Sequence, residues 1–218
     1  MLGIGLVTIL VSLVVLGLQI RRTAQQQTKD DVARHAALAS TALSGLFADW
    51  RDELLIAAGN SVYADWFEHP ADRAALRPQI DGALVALHSI YPELVDEACF
   101  IDARGPELAR QVKGLPAAVS ELSPDESGSP FFAPTFKLTA GQVWQASPYI
   151  SEDSDRWVVS NSTPILRGAR KIATVHFEAN LDAVRTLVAE GLGPGMQRGL
   201  WTPVPAWSSP TPPCGPPL

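Results

Sequence analysis

The sequence predicts an α+β fold: an N-terminal transmembrane helix, a long stalk helix, then an antiparallel sheet of about five strands with helices on one face. Three observations predict it. Residues 1–20 contain 14 hydrophobic residues and no charge. Residues 28–59 hold no proline and repeat apolar residues every three or four positions. From about residue 98 the pattern changes to short extended runs divided by turn residues, as antiparallel strands require.

Twenty residues at 1.5 Å each span about 30 Å, the thickness of a bilayer's hydrocarbon core. A cleavable signal peptide is the competing reading. It fails because no basic residue precedes the apolar run and no A-x-A-like site follows it. Arg21 and Arg22 come directly after the run, and by charge alone they favour a cytoplasmic C-terminal side.

The stalk helix carries an apolar stripe of Val32, Ala36, Ala39, Leu43, Leu46, Trp50, Leu54 and Ala57. Such a stripe packs on a sheet or on a partner helix, and a homodimer through this helix is expected. Asn60 to Pro70 interrupts the pattern, with Tyr63, Trp66 and Phe67 as apolar anchors. A second helix is predicted from Asp72 to Ile90, with Leu76, Ile80, Leu84, Leu87 and Ile90 on one face and Pro92 ending it. Pro78 predicts that this helix either starts there or kinks.

Ala98 to Ile101 is a short apolar run, Asp102-Ala103-Arg104-Gly105 a turn, and Glu107 to Val112 the returning strand. Gln142 to Ser151 and Arg156 to Ile165 form a hairpin around Glu152-Asp153-Ser154-Asp155. Lys171 to Glu178 is the last strand. Alternation there places Ala173, Val175 and Phe177 on one face and Ile172, Thr174, His176 and Glu178 on the other. Leu181 to Glu190 reads as an exit helix. The stretch 113–141, with its prolines and glycines, reads as a long loop crossing the sheet, and long internal loops usually bind something. Residues 191–218 hold 8 of the 18 prolines and 5 of the 16 glycines, the composition of a disordered tail. The predicted organisation is a transmembrane helix over 1–20, a stalk and dimerisation helix over 21–60, a folded domain over 61–190 and a tail over 191–218.

The chemistry excludes more than it assigns. A net charge of −6 and the absence of any basic run argue against nucleic acid. Cys99 and Cys214 are 115 positions apart, which excludes a disulfide-dense scaffold and a cysteine-based zinc site. Both cysteines are expected unpaired. His35, His69, His88 and His176 show no metal-ligand spacing, so no metal or cofactor is predicted. No G-x-S-x-G, phosphate-binding loop or H-E-x-x-H is present, and no catalytic residue is assigned: the chain is read as a non-enzyme.

The ordered set of motifs resembles a known family. A membrane helix, a long helix and the hairpin Phe100-Ile101-Asp102-x-x-Gly105-x-Glu107 come first. Ser147-Pro148-Tyr149, Trp157-Val158-Val159-Ser160, Thr163-Pro164-Ile165 and Val175-His176-Phe177-Glu178 follow. Together, over roughly residues 1–190, they resemble the Cache extracytoplasmic sensor domains of bacterial receptors. The likeness is to the membrane-distal half of a double Cache module. That resemblance implies a PAS-like fold, a place in the inner or plasma membrane with residues 23–218 extracytoplasmic, and small-molecule sensing ahead of an output domain. Family members stand in front of diguanylate cyclases, phosphodiesterases, histidine kinases and chemoreceptors. They continue with a second structured half where this chain has its Pro/Gly tail, so a receptor truncated before its output domain is expected. The alternative is a structural or dimerisation module that binds no ligand.

The resemblance also implies a pocket between the sheet and the 113–141 loop. Its candidate ligand-binding residues are Arg110, Phe132, Trp144, Tyr149, Trp157 and His176, aromatic walls with a few polar groups. Phe131, Phe136 and Arg156 lie nearby. Phe131 and Phe132 are more often core than pocket and His176 more often a satisfied sheet histidine, while Trp144 and Trp157 serve equally well as cross-strand packing partners. Amino-acid-binding members carry Arg-x-Trp-Tyr before the strand ending in Pro-Tyr. Here that place reads Ser129-Pro130-Phe131-Phe132-Ala133-Pro134, and the motif is missing.

Overall fold

The proline-free stripe does form a helix, and a long one: α1 runs from Leu2 to Ala58 and ends where Gly59 follows. The computed structural model describes the backbone of residues 2–191 and the side chains of 11–189. Half of the predicted span, residues 1–10, and the predicted tail beyond Gly191 therefore lie outside the described side chains. Among the described residues no helix is long and apolar enough to cross a membrane.

Residues Thr41–Leu187 form one compact unit. Of the other unit, α1 up to Ser40 and the end of the last helix from Val188 are described. In the first of these Val32 and Leu38 are exposed. The stripe therefore divides. Leu43, Leu46, Trp50, Leu54 and Ala57 pack into the domain core, with Trp50 and Leu54 fully buried, so this half of the stripe is used within the domain.

Asn60 leads into α2 (Val62–Glu68), its side-chain oxygen accepting the Val62 amide at 3.1 Å. A short 3-10 turn precedes α3 (Arg73–Ile90). Pro78 sits inside α3 rather than starting it. The amide it lacks would have met the carbonyl of Ala74, which stands on the exposed side of the helix. The predicted face Ile80, Leu84 and Leu87 is buried, while Ile90 is exposed.

The sheet has seven strands rather than about five: β1 (Val95–Asp102), β2 (Glu107–Val112), β3 (Leu115–Pro116), β4 (Trp144–Gln145), β5 (Tyr149–Ile150), β6 (Trp157–Arg167) and β7 (Arg170–Asn180). Four are long and three have two residues each. The segment expected as one strand over 142–151 splits into β4 and β5, because Pro148 between them has no amide to give to a ladder. The order is β3-β2-β1-β7-β6-β4, with β5 also paired to β6, and every pairing is antiparallel. Two short helices close the description: α4 (Phe132–Thr135) inside the crossing loop and α5 (Leu181–Gly191) after β7.

One face of the sheet meets α1, α2 and α3. Ala98, Phe100, Ala173, Val175 and Phe177 pack there against Trp50, Leu54, Tyr63, Ile80 and Leu84. Trp50 meets Phe177 edge-on with centroids 5.7 Å apart, and Tyr63 tilts against Phe100 at 4.9 Å. Each such fully buried side chain stabilises by about 1.5–3 kcal/mol relative to exposure. Ile172 breaks the expected alternation and joins this core, beside a register shift between Ile165 and Leu166. The opposite face carries the crossing loop, where Phe131 and Phe132 cover Cys99 and Ile101.

Candidate functional site

Period-two alternation gives the loop-facing side of the sheet an unusual content. Apolar residues face the helices, whereas Glu97, Cys99, Thr174, His176 and Glu178 face the loop, all of them buried. Register then pairs them across strands, with Cys99 opposite His176 and Glu97 opposite Glu178. On the next strand Ser162 lies opposite His176 and Ser160 opposite Glu178.

A bulge adds two more charges. Between Phe100 and Ile101 the β1–β2 register shifts, so that Ala109 pairs with Phe100 but Glu107 pairs with Ile101. Glu107 and Arg110, at a spacing that a regular strand would place on opposite faces, both turn toward the loop. Arg110 Nη1 stands 3.7 Å from Glu107 Oε2 and donates to Asp153 Oδ1 at 2.9 Å, and Nη2 donates to the Glu121 carbonyl. Asp153 belongs to a closed turn in which the Ser151 amide donates to the Arg156 carbonyl at 2.9 Å. Arg110 thereby ties β2 to both the crossing loop and the β5–β6 turn.

The family-like hairpin motif has a mechanical meaning here. The Arg104 amide and guanidinium both donate to Asp102, closing the turn. Gly105 has φ +115°, and a Cβ there would meet Asp125 Oδ1 at 2.2 Å. Glu107 pins the crossing loop: its Oε2 accepts the Ser123 amide at 2.7 Å, and its own amide donates to the Ser123 carbonyl at 3.0 Å. The motif fastens the loop that roofs the site.

Beneath the β5–β6 turn lies a cavity of about 330 Å³ lined by Asp96, Glu97, Arg110, Lys113, Asp153, Arg156 and Glu178. Burial pushes the Glu97 carboxyl up to about 8, aided by Glu178 and Asp153 against the opposing pull of Cys99 and Arg110. Burial also raises Glu178 and Glu107. Burial drives His176 down to about 3, so its imidazole is neutral at pH 7. The Cys99 thiol, raised by burial and the nearby carboxyls, donates to Glu97 Oε1 at 3.0 Å. The Tyr149 hydroxyl donates to Glu178 Oε1, and burial with that carboxyl raises its pKa. Several buried polar atoms keep no partner: Arg110 Nε and Ser154 Oγ on the cavity wall, and His176 Nδ1.

Of the six candidate residues the structure brings four to this face. Arg110 and His176 are buried, and Tyr149 holds Glu178. Phe132 packs with Phe131 on Cys99 and Ile101. Trp144 and Trp157 stand apart on the short edge pairings, opposite Ser162 and Ile150, and are 38% and 48% exposed. The sequence reading missed Glu97, Cys99, Glu107 and Asp153 as site residues. A signal existed: polar residues two apart, Glu97-x-Cys99 and His176-x-Glu178, inside otherwise apolar strands.

No family model matches the sequence, and no curated protein does. Solved structures do match. The extracellular domain of the histidine kinase vpHK1S-Z8 superposes with a TM-score of 0.60 at 13% identity, covering 75% of this chain and 62% of that one. The sensor domain of the V. cholerae histidine kinase DctB gives 0.57 at 14%, covering 78% and 59%. The ligand-binding domain of the Campylobacter jejuni chemoreceptor Tlp3, solved with 4-methylisoleucine, gives 0.54 at 12%, covering 70% and 58%. The match spans about three-fifths of the length of those domains, and at these identities the likeness is one of fold. The chain has the fold of the extracytoplasmic sensor domains of histidine kinases and chemoreceptors, the Cache (PAS-like) fold its motifs resemble.

Proposed function

We propose that the chain is the extracytoplasmic sensing part of a membrane-bound signalling receptor, anchored by residues 1–20, and that a small polar molecule binds under the β5–β6 turn. The observation that carries this reading is the cavity of about 330 Å³ with charged walls of both signs. A structural core would not keep Arg110 Nε and Ser154 Oγ, both on residues that line this cavity, buried without partners, whereas a ligand would satisfy them. Arg110 and Glu178, which line the cavity, would contact it, Tyr149 would hold Glu178 in place, and Asp153 would close over it. The chemoreceptor domain similar in fold was solved with an amino-acid compound. This chain lacks the Arg-x-Trp-Tyr motif of amino-acid-binding members, so the ligand class extends to other small zwitterions, amines and acids. Ligand binding biases the receptor only by its different affinity for two arrangements of the domain. The exposed first half of the stripe, Val32 to Ala39, is the surface for dimer pairing in this scheme.

Thermal-shift screening of the full chain in detergent tests the proposal. A ligand at a hundred times its Kd stabilises by about 2.7 kcal/mol, which raises Tm by about 5–10 °C for a domain of this size. The shift should vanish in Arg110→Ala. Failure of small acids, amines, zwitterions and sugars alike to raise Tm would remove the sensing reading. It would favour the second reading, a structural module, which the filled region around Cys99, Ile101, Phe131 and Phe132 supports.

A further inference from the structure

Four of the side chains that β1 and β7 array on the loop-facing side are donors of the kind that bind metal. Cys99 lies opposite His176 and Glu97 opposite Glu178, and spacing of two along each strand places all four on one face. Glu97, Cys99 and His176 each present one ligand-type atom, and these atoms lie within 4.8 Å of one another. All three residues are at most 4% exposed. His176 adds an independent observation, since its Nδ1 is buried with no hydrogen-bond partner. Phe131 lies almost parallel over the imidazole, centroids 3.9 Å apart and planes 20° apart. That stacking covers the face of the ring and leaves the in-plane lone pair free.

Against the expectation from sequence spacing that no metal binds, we propose that Glu97, Cys99 and His176, brought together by strand register, form a binding site for a borderline-soft divalent cation of the zinc class, with the cavity side open for a fourth ligand. A thiolate, an imidazole and a carboxylate select such an ion over Mg²⁺ or Ca²⁺, which take oxygen donors. Ligand distances of about 2.0–2.3 Å in tetrahedral geometry put donor atoms about 3.5 Å apart, so the side chains need to draw in by about 1 Å. Charge balances as well. The thiol proton leaves on binding, and a thiolate and a carboxylate then put two negative ligands on a doubly positive ion, a buried site of zero net charge. Glu97 and Glu178 also line the cavity, which supplies the entry path and the water or carboxylate for the fourth position. The proposal goes beyond the sensing reading and does not depend on which molecule the cavity takes.

The competing cluster, Asp65, Glu68 and His69, is more exposed, and Glu68 is engaged by Arg167 at 3.0 Å. The experiment separates the two. The full chain, as Cys214→Ser so that Cys99 is the only thiol, is purified in detergent, stripped of metal and titrated with Co²⁺. One equivalent should bind and give a thiolate-to-cobalt charge-transfer band that Zn²⁺ abolishes. Cys99→Ser should remove the band. His176→Gln should weaken Co²⁺ and Zn²⁺ binding at least about tenfold, the loss that even an outer-shell partner brings. His69→Ala should change neither. Near-ultraviolet circular dichroism checks that each variant is folded, and the band of the unmutated site stands without any variant. A folded chain that binds no stoichiometric Co²⁺ or shows no such band overturns the proposal. So does binding that survives in folded Cys99→Ser or disappears in His69→Ala.

Discussion

Arg110 and Asp153, 43 positions apart in the chain, meet at 2.9 Å across the mouth of the cavity. The guanidinium side chain is 10% exposed and the carboxylate 44%, so the two ends of this contact carry different weight. Arg110 also faces the buried Glu107 and holds the Glu121 carbonyl. Arg110→Ala should therefore cost about 3 kcal/mol, the penalty for leaving a buried partner uncompensated. Asp153→Asn should cost under about 1 kcal/mol, as half-exposed ion pairs do. Urea denaturation of both variants checks this, and equal losses would refute the asymmetry.

Tyr149 reaches Glu178 through its hydroxyl; Glu178 is buried and Tyr149 partly so. Tyr149→Phe keeps the ring and leaves the carboxyl short of a donor. The expected loss is about 1–3 kcal/mol, read as a lower midpoint in urea at an unchanged slope. A variant as stable as the parent would show that Glu178 finds another partner at no cost.

Gly105 combines a left-handed backbone with the close approach of Asp125. Gly105→Ala should destabilise by about 1–3 kcal/mol through strain at φ +115°. A double variant with Asp125→Ala relieves the contact but not the strain, and should recover only part of the loss. Full recovery would place the whole effect on Asp125.

Asp102 supplies an acid-side dependence. Burial pushes its carboxyl up, but the hydrogen bonds and charge of Arg104 outweigh this and hold it below the ordinary value. A group lowered in the folded state stabilises above its unfolded pKa, about 3.9, and that stability fades as pH falls through the folded value. The stability difference between the parent and Asp102→Asn should be constant above about pH 5 and shrink below about pH 4. Denaturation curves across that range measure it; a difference independent of pH would deny the Arg104 contact any role.

The helices were legible because their information is local. The spacing of Leu43, Leu46, Trp50 and Leu54 announces a helical face, as does that of Ile80, Leu84 and Leu87, and each is buried as a face. Turn chemistry at Asp102-Ala103-Arg104-Gly105 and alternation in the last strand marked the sheet in the same way. The candidate site was legible only in pieces. Arg110, Tyr149 and His176 could be named, but their neighbours could not, because Cys99 and His176 become adjacent only through the β1–β7 register.

By itself the sequence determined the long helices and the four long antiparallel strands, the apolar first twenty residues and the chemical types available. Periodicity over contiguous residues is enough for that, since it follows from backbone geometry. Tertiary structure alone decided three things. It divided the long stripe into a buried half and an exposed half, according to what the sheet offered for it to cover. It put Glu107 and Arg110 on one face, because a bulge inserted an extra residue between them. And it set Glu97, Cys99, His176 and Glu178 into one array, because strand register is fixed by which face the whole core buries and not by any spacing along the chain.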